Sequence, residues 1–155
     1  MTFDEAFEKL IGHEGGYVNN RADPGGETKY GISKRAYPGE DIPNLTLDRA
    51  KAIYLRDYWG PAGCDALPDA MRLQVFDMAV NAGVRAAVKA LQRAVGETVD
   101  GALGPLTLQA VQSMQPARLV ARFNGARLAM LADDVNWPAF GRGWARRIAD
   151  NLRQA

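Results

Sequence analysis

Apolar residues first recur at helical spacing in Phe3, Phe7, Leu10 and Ile11, which fall on one face. Thr2 and Glu5 stand in front of them at the spacing of a capping box, so a short helix from about Phe3 to Gly12 is predicted. The pattern then breaks. From Tyr17 to Thr28 the chain is polar and rich in Gly, which excludes a helix, while Val18 and Tyr30 to Ile32 suit two extended pieces paired as a small hairpin. Ser33 can cap a brief helix to Tyr37 that Pro38-Gly39 ends. Thr46 is an N-cap for a helix to about Tyr58 or Trp59, with Leu47, Ala50, Ile53, Tyr54, Asp57 and Tyr58 along one side.

After a loop from Gly60 to Pro68, helical spacing returns in Met71, Val75, Met78, Ala79 and Ala82. Gly83 stops that helix, and a further one spans Val84 to Val95 before Gly96. Asp100-Gly101 reads as a turn and Gly104-Pro105 as a helix start. A last pair of helices is expected from about Pro116 to Asp133 and from about Phe140 to Leu152, with Trp137-Pro138 at the break. There are no internal repeats. The pattern predicts a mainly α protein with a small β-hairpin near its N-terminus.

The break after the first helix carries the candidate chemistry. Glu14 follows the end of that helix, and Gly15 and Gly16 are expected to stop it. A carboxylate there faces the negative end of the helix dipole, which favours its protonated form and suits a general acid. Downstream lie Asp23, Glu27, Thr28 and Tyr30. Glycosidic cleavage needs a proton donor and a water or carboxylate on the opposite side. Asp23 fits that second role, although Asp before Pro24 is also a common turn starter, and Glu27 is a rival second carboxylate. Asp77 and Asn81 lie one turn apart on one helix face, where Asn81 either meets a ligand or caps neighbouring backbone. Tyr17, Tyr54, Tyr58 and Trp59 can stack on sugar rings, but helical spacing favours core packing for the last three.

Composition narrows the classes. At 155 residues with 47% hydrophobic content, the chain can bury a core of one domain. Its 19 basic and 18 acidic residues leave no global field to draw nucleic acid or membranes. The segment after Gln115 is rich in Arg and poor in acids, which suits an anionic partner such as a cell-wall polymer, although solvated helix faces are the commoner explanation. Cys64 is the single cysteine, so no intrachain disulfide forms, and it reads as a structural thiol. His13 is the single histidine, the helical His-Glu-x-x-His pattern is missing, and Gly25-Gly26-Glu27-Thr28-Lys29 lacks the ending of a phosphate loop. No metal and no cofactor are expected. The first residues lack a secretory signal, and no run of about 18 apolar residues exists to span a membrane.

His13-Glu14-Gly15-Gly16-Tyr17, followed by Asp23-Pro24-Gly25-Gly26-Glu27-Thr28-Lys29-Tyr30-Gly31-Ile32-Ser33, closely resembles glycoside hydrolase family 108. Those are lysozyme-like N-acetylmuramidases of bacteriophage endolysins and their bacterial relatives. Asp100-Gly101 through Gly104-Pro105 and Thr107 resembles the Asp-Gly-x-x-Gly-Pro-x-Thr signature of peptidoglycan-binding helical modules, and Gly143-Trp144 matches a Gly-Trp near the family's C-terminal end. The resemblance implies a lysozyme-like fold over residues 1–155, with a catalytic region over 1–83 and an integrated helical, peptidoglycan-binding-like region over 84–155. It implies a hydrolase that cleaves the β-1,4 bond after N-acetylmuramic acid, with Glu14 as general acid. Asp23 and Thr28 would position a water, as in phage-type lysozymes, though their spacing here departs slightly from that pattern. Tyr17, Glu27, Tyr30 and Asn81 would contact substrate. A lytic transglycosylase and a non-catalytic wall-binding domain are the alternatives. The expected partner is bacterial peptidoglycan, met by a monomer made in the cytoplasm and released to the wall by a holin or by host lysis.

Overall fold

A computed structural model describes residues 1–12, 16–19 and 26–154. Two compact units divide the chain, one of Thr2–Asp57 and one of Met1 with Tyr58–Ala155. Among the described residues there are seven α-helices and one three-stranded antiparallel sheet near the N-terminus. The mainly α expectation holds.

In the smaller unit, helix α1 spans Phe3–Ile11. Thr2 accepts from the Glu5 amide at 3.3 Å and Glu5 accepts from the Thr2 amide at 2.7 Å, so the capping box is closed from both sides. The helix ends at its expected limit near Gly12. Gly12, at φ 62°, donates its amide to the Glu8 carbonyl and serves as the cap, a role first given to Gly15 and Gly16. Helix α2 covers Leu47–Tyr54 behind the Thr46 cap. It does not continue as an α-helix to Trp59, because Leu55–Trp59 widens into a π-helical turn. Its inner face is Ala50, Ile53 and Tyr54, packed in a core with Ala6, Phe7, Ile32, Ile42 and Leu45. Leu47 was expected on that face and is 44% exposed. The Tyr54 and Phe7 rings meet edge to face at 5.3 Å.

The sheet of the same unit differs from the expected hairpin. Strands β1 (Val18–Asn19), β2 (Glu27–Lys29) and β3 (Ile32–Ser33) lie in the order β1-β2-β3. Val18 therefore pairs with Thr28, not with the segment after Tyr30. A two-residue turn at Tyr30-Gly31 joins β2 to β3, with both residues at positive φ (50° and 74°) as a primed hairpin turn requires. The stretch after Ser33 is one turn rather than a helix: Ser33 accepts the Ala36 amide on Oγ and the Tyr37 amide on its carbonyl.

The larger unit is built around helix α3 (Asp69–Ala82), which matches its predicted limits. Met71, Leu73, Val75, Phe76, Met78 and Ala79 are all buried, so α3 is covered on every side rather than along one stripe. Helices α4 (Val84–Val95), α5 (Pro105–Ser113), α6 (Pro116–Ala132) and α7 (Trp137–Leu152) complete the unit, with α3 packing on α4, α6 and α7. The boundary expected between residues 83 and 84 thus runs between two helices that pack together here. Helix α7 starts three residues earlier than expected and includes Trp137-Pro138. Pro is tolerated in the first turn because its missing N–H has no intrahelical partner there. Trp59 is fully buried against Phe76 at 5.3 Å, with its indole donating to Asp65 at 2.9 Å. Cys64 is buried, and that burial pushes its thiol up to about 12, in keeping with a structural role.

Candidate active site

Glu14 and Asp23, the expected acid and water-holding carboxylate, lie outside the described residues. Around them in sequence stand the end of α1 and the sheet. A cavity of about 310 Å³ opens at the end of α1, lined by Phe7, Glu8, Ile11, Gly12, Leu47 and Lys51.

Strand alternation sorts the sheet residues. With Val18 opposite Thr28 and Asn19 opposite Glu27, one face carries Tyr17, Asn19, Glu27 and Lys29, and the other carries Val18, Thr28 and Ser33. Tyr17 and Glu27 are diagonal neighbours on the first face, and the phenol donates to the Glu27 carboxylate at 3.1 Å. Partial burial, then that carboxylate, push the Tyr17 phenol up, so it stays a neutral donor. Lys29 on the same face donates to the Pro43 carbonyl at 2.9 Å and lies 5.6 Å from the Tyr30 ring centroid. The structure therefore joins Tyr17, Glu27, Lys29 and Tyr30. Thr28 projects from the opposite side of the strand, so Thr28 and Glu27 address different faces of the sheet.

Tyr30 is placed by its backbone. It adopts the left-handed region at φ 50°, and its carbonyl accepts from the Tyr54 phenol at 3.1 Å. A Cβ on Gly31 would come 2.4 Å from that phenol oxygen, so Gly is needed both for φ and for the approach of Tyr54. Tyr54 anchors the hairpin rather than stacking on sugar, and buried Trp59 is likewise a core residue.

In the larger unit, Asn81 lies in the last turn of α3. Its Nδ2 donates to the Asp77 carbonyl at 2.7 Å and lies 3.4 Å from Asp77 Oδ1, while the side chain stays exposed. Asp77, 2% exposed, receives Arg127 of α6 at 2.6 Å and Arg147 of α7 at 2.5 Å. This pairing was missed in the sequence. Its signal was an Asp set among the apolar residues Val75, Phe76, Met78 and Ala79, where a buried carboxylate demands cations from elsewhere. The Asp-Gly-x-x-Gly-Pro-x-Thr stretch is also explained by local bonds. Gln92 of α4 donates to Asp100 at 2.7 Å and to the Ala102 carbonyl at 3.0 Å, and accepts the Gly101 amide at 2.9 Å. Thr107 completes the ring at 3.4 Å. Among the described residues, no three His, Cys, Asp or Glu side chains gather as a metal site, and no helix is long and apolar enough to cross a membrane.

A mainly helical chain with a small sheet near its N-terminus is the frame in which the comparisons with known proteins place it. The family model described as "Glycosyl hydrolase 108" matches residues 7–83, and that described as "Predicted Peptidoglycan domain" matches residues 86–149. Among solved structures, SagA of Brucella abortus is 34% identical, with a TM-score of 0.88, over 98% of this chain and 92% of that one. No curated protein matches. The chain belongs to the glycosyl hydrolase 108 family, a peptidoglycan-related glycosidase family.

Proposed function

We propose that this protein is an N-acetylmuramidase that cleaves the β-1,4 bond between N-acetylmuramic acid and N-acetylglucosamine, with Glu14 as general acid. The observation that carries the reading is the family match over residues 7–83, a span that includes Glu14 in sequence and Thr28 on β2. Glu14 gives its proton to the glycosidic oxygen as the bond to the anomeric carbon breaks. A water held by Asp23 and Thr28 adds to that carbon, and its released proton restores the acid-base pair. Tyr17, Glu27 and Tyr30 contact the sugars from the paired face and turn of the sheet, and Asn81 accepts from an N-acetyl group. The chain acts on peptidoglycan as a single lysozyme-like domain and a monomer, as an endolysin reaching the wall by holin-type release or host lysis.

The test is clearing of outer-membrane-permeabilised Gram-negative cells by the wild type and by Glu14→Gln, each checked for folding by circular dichroism. Clearing by the wild type alone, with reducing muramic acid ends in the mass spectrum, is expected. Anhydro ends would make the protein a lytic transglycosylase. Equal clearing by both would remove Glu14 from the mechanism, and wall binding without clearing by either would make it a binding domain.

A further inference from the structure

Helices α3 and α7 run antiparallel where they touch. Gln74 donates to the Asn151 carbonyl at 2.8 Å, and Arg147 donates to Asp77 at 2.5 Å, so rising numbers on α3 meet falling numbers on α7. Continued by one turn, that register brings Asn81 level with Trp144. At a rise of about 1.5 Å per residue, the four residues from Asp77 and the three from Arg147 advance by about 6 and about 4.5 Å.

At this level burial gives way to an aromatic surface. Trp137, Phe140 and Trp144 follow one another at i, i+3 and i+7 along one stripe of α7. Phe140 is 58% exposed and the two indoles are half-buried. The rings support each other, with centroids 6.2 Å apart for Trp137 and Trp144 and 6.0 Å apart for Phe140 and Trp144. Gly141 lets the Trp137 indole lie across the helix, since a Cβ there would come 2.5 Å from the ring. Three rings held this way form a ready surface that loses little freedom when a ligand covers it.

Asn81 supplies the polar complement. Its Nδ2 faces the Asp77 carbonyl and carboxylate, both acceptors, so the amide cannot be turned the other way round. That leaves Oδ1 as the atom available to a ligand, and it selects a donor. Asp77 is itself clamped by Arg127 and Arg147, which keeps the amide in this orientation.

We propose that Trp144, Phe140 and Asn81 form a subsite for one N-acetylated hexose of a glycan strand. The apolar face of the sugar stacks on the two rings, and its acetamido N–H donates to Asn81 Oδ1. For the identity of the glycan, the inference rests on the muramidase reading above.

The probe is the β-1,4-linked trimer of N-acetylglucosamine, titrated against the protein with tryptophan emission and calorimetry as readouts. Trp59 is fully buried, so an emission change reports the α7 indoles. Trimer binding should shift the wild-type emission. Trp144→Ala and Phe140→Ala should each weaken it about tenfold and raise KM on soluble peptidoglycan fragments by a similar factor with kcat little changed. Trp144→Phe should retain most of the binding. Phe140 is the more exposed ring, so its variant keeps the test sound if Trp144→Ala fails to fold. No trimer binding by the wild type, or unchanged binding and KM in both alanine variants, would overturn the subsite. Trimer binding through Trp144 by a protein that releases no reducing ends would uphold the subsite and defeat the muramidase reading. Wall digestion with unaltered KM in both variants would do the reverse.

Discussion

A carboxylate buried to 2% exposure has lost nearly all its water, and Asp77 regains that solvation from Arg127 and Arg147. The Arg127 side chain is itself only 4% exposed, so the pair is a buried one. Deleting one partner of such a pair strands the other charge. Asp77→Ala should therefore lower unfolding stability by about 3–5 kcal/mol, read as a shift in the urea midpoint. A loss below about 1 kcal/mol would mean that Arg127 finds water or another acceptor without cost. From the chain alone, Asp77 and Asn81 were visible as neighbours one turn apart. Their division of labour was not, because the cations that settle it stand 50 and 70 residues further on.

At the scale of elements, helix limits were read well wherever a local signal sets them. Thr2 and Thr46 cap α1 and α2, while Gly83 and Gly96 end α3 and α4. The presence of a small sheet near the N-terminus was legible, but its pairing was not. Its strands are two or three residues long, too short for alternation to register, and their pairing depends on the Tyr30-Gly31 turn. That turn is fastened from outside by Tyr54, which bonds the Tyr30 carbonyl and fills the space beside Gly31. Gly31→Ala adds a Cβ both at positive φ and against the Tyr54 phenol. It should destabilise the protein by about 1–3 kcal/mol in thermal or urea unfolding, more than Gly→Ala at an open, negative-φ position such as Gly39. Equal effects at the two positions would show that the turn relaxes freely. Helix α2 shows the same limit, since its capped start was legible and its passage into a π-helical turn was not.

At the scale of the whole molecule, several carboxylates are held below their ordinary values. The Arg56 guanidinium does this for Asp57 and the Arg49 guanidinium for Glu40. The amino terminus does so for Asp69, and the Ala102 amide for Asp100. Each is more acidic folded than unfolded, so each contributes stability that is fully present above the unfolded value of about 4. That contribution is lost as pH falls through the folded values. The urea midpoint should therefore stay level from neutral pH down to about 5 and fall below about 4. A midpoint that held to about pH 3 would show that these contacts are absent in solution.

The sequence by itself determined the helix ends, the apolar stripes, the Glu14-to-Ser33 motif and, through them, the mainly α class and the family. These are short-range properties: a cap, a glycine at positive φ or a period of 3.6 acts through backbone geometry within a turn or two. Only the tertiary structure decided which strand meets which, that Thr28 and Glu27 face opposite ways, and that Gln92 gathers the Asp100 loop. It alone joined α3 to helices beyond residue 83 and gave Asp77 its two arginines. Those choices are made by burial and by pairing of groups far apart in the chain, where a residue's type shows that it needs a partner but not which one it finds.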